Sequence, residues 1–269
     1  MRIESNNISF GSGLSSPVLL KEKFVNVAKQ TKFFQNKYGV ETNFLNNKSA
    51  ALANKLCADI FEKLSEKSSF SYSLPPAIFI YKKGDRITPS FSDNFCIPDS
   101  REVLRGEYPF AGRSIFFKDF ENLEVMDDKA ERMHSLKNSS SSHFLHLFIH
   151  EWLHSIHLDY IYQKFGYGGE CEYLKKNYPL NCSPITGIQL LKELETKTLS
   201  KEENEIVFDN LGSYATEPIN QYLEVFSEAF SKFICSSLKD GKLVKDPMDE
   251  MRQSHPEFQK ILNKIIQFK

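Results

Sequence analysis

The chain has 269 residues, of which 41% are hydrophobic and 26% are charged, so it is long and apolar enough to bury a sizeable core. Its 34 basic and 35 acidic residues give a formal net charge of −1, which excludes an overall electrostatic attraction to nucleic acid or to an anionic membrane. No run of about 18 apolar residues occurs, and the polar first residues lack the apolar stretch of a Sec signal. We therefore expect neither a membrane span nor Sec-dependent export.

The N-terminal segment, residues 1–16, is rich in Ser, Asn and Gly, and we expect it to be disordered. Such a composition fits an unstructured secretion signal and a frayed terminus equally well. The remaining residues, 17–269, are expected to form a single domain with a helical extension at its N-terminal side.

Cysteine usage gives thiol chemistry little support, because no C-x-x-C pair is present. The five cysteines are scattered along the chain: Cys57, Cys96, Cys171, Cys182 and Cys235. Cys171 and Cys182 could bridge a loop. An odd number of cysteines without a signal peptide favours reduced thiols instead.

Hydrophobic spacing predicts two helices in the first part of the chain, over residues 17–38 and 48–67. A Pro-Pro pair then precedes the apolar run AIFIY at 77–81, which predicts a buried strand. Residues 113–117 and 123–126 are further strand candidates. Together these elements predict an α+β fold that is mostly helical, with a small mixed sheet next to the helix that follows.

That next helix is predicted over residues 143–164, which contain no Gly or Pro and follow a Ser-rich stretch suited to an N-cap. It carries the sequence H-E-W-L-H, which places His150 and His154 on one face with Glu151 beside them. Neutral imidazoles bind Zn²⁺ well, and a neighbouring carboxylate can take a proton from water that the metal acidifies. Apolar residues at helical spacing predict that the helix is largely buried: Leu145, Phe148, Ile149, Trp152, Leu153 and Ile156.

Five of the seven histidines belong to this segment and recur at steps of three and four, so they form one stripe: His143, His146, His150, His154 and His157. For His143, His146 and His157 we expect partly solvated or hydrogen-bonded positions at the helix edge. The alternative is that these three line a catalytic cleft.

A catalytic zinc site needs a third protein ligand, and the region after Ser213 offers candidates. Thr216 can cap a helix that has Pro218 in its first turn and a stop at 240–241. On this helix Glu224 and Glu228 lie one turn apart, so one can bind the metal while the other holds a ligating histidine. We predict Glu224 as the ligand, with Glu228 as the alternative.

The segment between the two motifs is long and contains rival ligands. Glu170 and Glu172 lie within 166–183, a glycine-containing stretch that we expect to shape the cleft. Flexible loops are less rigid supports for a metal ligand than helices are, which favours Glu224 over both. Further helices are predicted over 188–196 and from 246 or 249 to 266.

The two motifs together resemble a known group of enzymes. H-E-x-x-H followed by a later helical glutamate resembles the gluzincin branch of the zincin metallopeptidases. More narrowly, S-Y-A-T…E-V-F-S-E-A-F resembles the catalytic domain of the anthrax lethal factor family of bacterial toxins and effectors, over about the last half of the chain. The resemblance implies a zincin-like fold and these roles: zinc ligands His150, His154 and Glu224, general base Glu151 and oxyanion stabiliser Tyr214.

The sequence departs from that family in one spacing. Tyr214 precedes Glu224 by ten residues, which is longer than the family pattern. Tyr222 is a poor substitute, because two residues along a helix turn a side chain by about 200° and point it away from the metal.

The resemblance implies a zinc-dependent endopeptidase with one Zn²⁺ that cleaves a particular host protein, such as a signalling protein. It also implies a secreted effector delivered by a non-Sec route into the cytosol of a host cell. Two alternatives remain open: a housekeeping zinc peptidase of the bacterial cytoplasm, and a non-catalytic binding protein that keeps a zincin fold. An intact Glu151 argues against the second alternative, because a protein selected only for binding need not keep the base.

Overall fold

The structure is a computed structural model that describes residues 16–67, 74–75, 77–82, 95–96, 114–165, 199–216 and 221–265. Nine α-helices lie in these ranges: α1 Ser16–Lys23, α2 Val27–Tyr38, α3 Lys48–Lys67, α4 Leu123–Ser135, α5 His146–Phe165, α6 Lys201–Leu211, α7 Gln221–Ser236, α8 Pro247–Gln253 and α9 Pro256–Ile265. A short 3₁₀ helix spans Tyr214–Thr216. The described strands are β1 Glu41–Asn43, β2 Ala77–Tyr81, β3 Phe95–Cys96, β4 Ile115–Lys118, β5 Leu238–Lys239 and β6 Lys242–Leu243.

The main sheet has the strand order β1-β2-β4-β3. Strands β1, β2 and β4 are parallel to one another, and β3 pairs antiparallel with β4. β2 is almost entirely buried, as the continuous apolar run AIFIY predicts for a strand covered on both faces. The α+β class, the predominance of helix, the small mixed sheet and the strand at 77–81 are thus confirmed.

The interpretation of residues 123–126 as a strand is wrong, because they form the first turn of α4. The side chain of Asn122 accepts a hydrogen bond from the amide of Val125, which caps the helix. Leu123, Met126 and Ala130 are buried at helical spacing, so the short apolar run was the start of a longer amphipathic pattern.

Two helices predicted as continuous are each broken. The segment 17–38 forms α1 and α2, because Asn26 leaves the helical conformation and its side chain caps α2 through the amide of Lys29. The C-terminal helix is divided into α8 and α9, with Pro256 as the first residue of α9, where the missing proline N–H costs no hydrogen bond.

Helix α7 ends at Ser236, earlier than the stop predicted at 240–241. Asp240 and Gly241 instead form the two-residue turn between β5 and β6. Both have a positive φ, 52° and 69°, which is the geometry that closes a tight hairpin.

Helix α5 runs through the core and begins at His146, three residues later than predicted. The six apolar residues predicted to bury this helix are all buried, as expected, although Leu145 lies just before its first residue. The ring of Trp152 stacks on Phe61 of α3 at 5.6 Å between centroids, and its Nε1–H donates to Oδ1 of Asn54 at 2.9 Å. On the other side, Phe148 contacts Phe117 of β4 at 4.8 Å between ring centroids, so α5 is fixed between a helix and the sheet.

Among the described residues, no helix combines the length and the apolar character that crossing a membrane would require.

The Asn54–Trp152 hydrogen bond should stabilise the position of α5. Replacing Asn54 by Ala leaves the buried indole N–H without its acceptor, which we expect to lower the free energy of unfolding by about 1–3 kcal/mol. Urea unfolding followed by circular dichroism measures this loss. In a Trp152→Phe background the same replacement should lower the free energy of unfolding by clearly less. An equal loss in both backgrounds would show that the hydrogen bond does not contribute to stability.

Candidate metal centre

The centre lies where α5 and α7 pack along each other. Residues four apart share one face of a helix, so His150 and His154 project from α5 toward α7, and Glu224 and Glu228 project from α7 toward α5. All four side chains are buried. The structure therefore brings together the two histidines and both glutamates that the sequence singles out.

Three ligand atoms converge on one point between the helices. Nε2 of His150 and Nε2 of His154 are 2.8 Å apart, and Oε2 of Glu224 lies 3.1 Å and 3.4 Å from them. An ion with bonds of about 2.1 Å and tetrahedral angles holds its ligand atoms about 3.4 Å apart. The triangle formed by His150, His154 and Glu224 is therefore close to the size that a shared metal ion requires.

The hydrogen bonding of this triangle also fits a metal ion. Oε2 of Glu224 is buried and accepts no hydrogen bond within the described part of the chain, although His150 lies 3.1 Å away. A buried carboxylate oxygen without a donor is costly, and coordination to a cation removes that cost. These buried His and Glu side chains can thus bind a metal ion.

Glu228 performs a different task. Its carboxylate accepts a hydrogen bond from the amide of Ser140 at 2.8 Å and lies 3.2 Å from Nδ1 of His150. It also lies 3.3 Å from Nε2 of His146, and these three side chains form a second group with metal-binding potential. Because a ligating histidine needs a partner for its second nitrogen, the contact between Glu228 and His150 is the one expected to orient the ring.

The charges of the cluster favour a cation. Burial opposes ionisation of Glu224, but electrostatic interaction with His154 and close contact with His150 lower the pKa of Glu224 to about 2. Burial also opposes ionisation of Glu228, but the neighbouring His146 and His150 outweigh the effect of burial. The pKa of Glu228 therefore lies well below the usual range. Burial would lower the pKa of His150, yet Glu224 and Glu228 raise it well above its ordinary value. The two buried carboxylates thus attract positive charge, as a proton or as a metal ion.

Glu151 follows the first ligand on α5 and is also buried. Burial raises the pKa of its carboxyl group, and the nearby histidines only partly offset this effect. Its Oε2 has no hydrogen-bond partner among the described residues. A carboxylate with a raised pKa is better matched to accepting a proton near neutral pH than an ordinary surface glutamate.

Tyr214 lies next to His150, in the 3₁₀ helix. Its ring centroid is 6.0 Å from that of His150, and 39% of the residue is exposed. The residue predicted as oxyanion stabiliser is therefore a neighbour of the His/Glu cluster and also reaches solvent.

A backbone clamp holds the 3₁₀ helix in place. The amide of Ser213 donates to the carbonyl of Lys137 at 2.6 Å, and its hydroxyl donates to Oδ1 of Asn138 at 3.0 Å. Gly212 has a φ of +91°, and a Cβ atom there would lie 2.5 Å from the Lys137 carbonyl oxygen. Only glycine allows this close approach without a shift of the backbone.

The expected partial exposure of His143 and His146 to solvent is wrong, whereas the expected hydrogen-bond contacts are confirmed for both. His146 is completely buried and packs against Glu228, and His143 is only 9% exposed. Nδ1 of His143 accepts a hydrogen bond from the amide of Leu145, and burial lowers the pKa of His143 to about 4. His146 is buried because Glu228 of α7 packs against it. The side chain of His157 lies outside the described residues.

Other predicted features have the following outcomes. The Ser-rich stretch at 138–142 does not cap α5, because that helix begins only at His146. Instead, the amide of Ser140 donates to the carboxylate of Glu228, and the hydroxyl of Ser140 donates to the backbone carbonyl of Glu228. Thr216 ends the 3₁₀ helix, and its hydroxyl donates to the carbonyl of Ser213.

Cys57 and Cys235 are free and buried. These predictions lie outside the described residues or side chains: the segment 1–15, Glu170, Cys171, Glu172, Cys182, the helix 188–196, Pro218 and Tyr222.

Two site residues escaped the sequence reasoning. Ser140 and Ser227 both contact the cluster, the first through Glu228 and the second through Nδ1 of His154 at 2.9 Å. The available signal for Ser227 was its position one turn of helix after Glu224, on the side that faces α5.

Comparison with protein-family models, with curated proteins and with solved structures gives no significant match to this chain.

Removing the carboxylate of Glu224 should abolish metal binding, because two imidazoles remain where a catalytic site uses three protein ligands. We expect Glu224→Ala to reduce bound zinc from about one ion per chain to nearly none, as measured by plasma mass spectrometry after dialysis. Glu66→Ala, at an exposed position of α3, is the matched control. Normal zinc content in Glu224→Ala would assign the third ligand elsewhere, with Glu228 as the first residue to replace.

Proposed function

We propose that this protein is a zinc-dependent endopeptidase with a zincin-like site. The observation that carries the proposal is the buried triangle of His150 Nε2, His154 Nε2 and Glu224 Oε2, with Glu151 beside it on α5. Two imidazoles and one carboxylate form a common ligand set of catalytic zinc, which leaves a fourth position for chemistry. The resemblance to gluzincins adds to this argument but does not replace it.

The proposed reaction is hydrolysis of a peptide bond without a covalent intermediate. When bound, zinc supplies Lewis acidity that polarises the substrate carbonyl and acidifies water. Glu151 accepts a proton from the attacking water at its carboxylate, and then passes that proton to the leaving amine. The hydroxyl of Tyr214 donates a hydrogen bond to the developing oxyanion. Glu228 keeps the ring of His150 oriented throughout.

A polypeptide substrate is supported by the position of β3. This strand is the last one in the described sheet order, and it contacts α5. A strand at the edge of a sheet presents backbone groups to which an extended peptide can pair. We propose that substrate adds to β3 and so passes beside the metal cluster.

We further propose that the enzyme is an exported effector that acts in the cytosol of a host cell on a signalling protein. The support is the polar, Ser- and Asn-rich composition of residues 1–16 together with the resemblance to toxin-like metallopeptidases. Reduced thiols at Cys57 and Cys235 are compatible with a cytosolic place of action.

The decisive test compares wild type with Glu151→Gln, each loaded with zinc and incubated in host-cell lysate. Wild type should generate new protein N-termini, and Glu151→Gln should retain zinc but lose cleavage by about 10²-fold or more, because the base is missing. Mass spectrometry of labelled N-termini identifies the target and the cleaved bond. Glu66→Gln serves as the control and should cleave normally. Zinc-loaded wild type that cleaves nothing would contradict the proposal and favour a binding protein.

The clamp at Gly212 gives a separate test of Tyr214. Gly212→Ala forces the backbone away from Lys137 and should displace Tyr214, so kcat should fall about as far as in Tyr214→Phe, by about 10²-fold or more, with zinc content unchanged. Gly39→Ala is the matched control, because Gly39 also has a positive φ, 68°, but a Cβ atom there meets nothing within 4 Å. Full activity of both Gly212→Ala and Tyr214→Phe would exclude the proposed oxyanion role.

A further inference from the structure

We infer that Ser227 is a positioning residue that fixes the imidazole of His154 for metal binding. Ser227 lies on α7 between Glu224 and Glu228 and is completely buried. Its Oγ is 2.9 Å from Nδ1 of His154. The inference rests on the proposed metal centre and adds a residue to it that neither the H-E-x-x-H motif nor the third-ligand pattern contains.

The protonation pattern of His154 explains why a partner is needed. Nε2 of His154 faces Nε2 of His150 and Oε2 of Glu224, so Nε2 is the atom that points to the metal position. A ring nitrogen that binds a metal carries no proton, and a neutral imidazole then keeps its proton on Nδ1. The Nδ1–H of His154 therefore donates to Oγ of Ser227, which selects the tautomer that leaves Nε2 free.

The cost of losing this hydroxyl follows from burial. His154 is 6% exposed, so water does not readily replace Ser227 as an acceptor for Nδ1–H. An unpaired buried N–H can be avoided by moving the proton to Nε2 or by rotating the ring, and either change removes His154 from the metal position. Ser227 thus acts on metal affinity through His154 and touches neither metal nor substrate.

Two consecutive residues of α7 contact the two histidines of the proposed metal centre, one through a carboxylate and the other through a hydroxyl. The carboxylate of Glu228 lies against Nδ1 of His150, whereas the hydroxyl of Ser227 contacts Nδ1 of His154. Glu224 and Glu228 already place two carboxylates in this buried space. A hydroxyl at position 227 orients the second imidazole without adding a further buried negative charge, whose desolvation would be costly.

Helix α7 also supplies a matched control. Ser231 lies one turn after Ser227 and is equally buried, but its hydroxyl has no hydrogen-bond partner in the part of the chain that the structure describes. Ser231→Ala and Ser227→Ala therefore remove the same atom from the same helix at the same burial. Only Ser227→Ala removes a contact with His154.

The first measurement is zinc affinity by competition with a chelator for wild type and both variants. Ser227→Ala should bind zinc about 10–100-fold more weakly, the usual loss when the partner of a ligating histidine is removed, while Ser231→Ala should bind like wild type. Ser227→Thr, which keeps the hydroxyl, should retain most of the affinity. Equal affinity of wild type and Ser227→Ala would overturn the inference while the proposed function stands.

The second measurement does not need metal. Nitrogen-15 spectra of metal-free protein report which ring nitrogen of His154 carries the proton. In wild type and Ser231→Ala we expect the Nδ1–H tautomer, and in Ser227→Ala a mixture or the Nε2–H form. The Nε2–H form in wild type would overturn the inference. Wild type that binds no zinc would instead refute the metal centre and with it the role of Ser227 in metal binding, and the spectra would then decide only whether Ser227 sets the tautomer of His154.

Discussion

Glu228 places a carboxylate between the two helices that form the centre, and its contacts connect three separate parts of the chain. It accepts a hydrogen bond from the amide of Ser140 in the loop before α5, and it lies against His146 and His150 on α5 itself. A buried carboxylate is stable only when such donors and positive charges surround it. The packing of α5 on α7 therefore cannot change without exposing this charge, and the geometry of His150 depends on the same contacts.

The loop before α5 extends this constraint to the 3₁₀ helix that carries Tyr214. Ser140 is bound to α7, while Lys137 and Asn138, three and two residues earlier, are bound to Ser213 next to Tyr214. One short segment thus sets the distance between the metal-binding face and the tyrosine. Residues on rigid elements with such support hold a catalytic geometry better than residues on unsupported loops.

The sequence could predict what depends on local pattern. H-E-x-x-H located the motif helix, the run AIFIY located β2, and the four-residue spacing of Glu224 and Glu228 put both on one face. What it could not predict depends on neighbours distant in sequence. Asn26 breaks a helix by capping the next one, and the burial of His146 comes from α7, more than seventy residues later. The contact of the Ser227 hydroxyl with His154 depends on the packing of α7 against α5. The sequence does not indicate it, because serine on a helix has no fixed partner.

The stacking of Trp152 on Phe61 has a consequence for how this protein can be observed. Trp152 is the only tryptophan of the chain. It lies between Glu151 and His154 in sequence but on the opposite face of α5, where it is fully buried and hydrogen-bonded to Asn54. Indole fluorescence of the whole protein therefore originates at a single point on the helix that carries the two histidines. Any change in its emission reports on the surroundings of that helix, so the molecule contains its own optical probe and needs no added label.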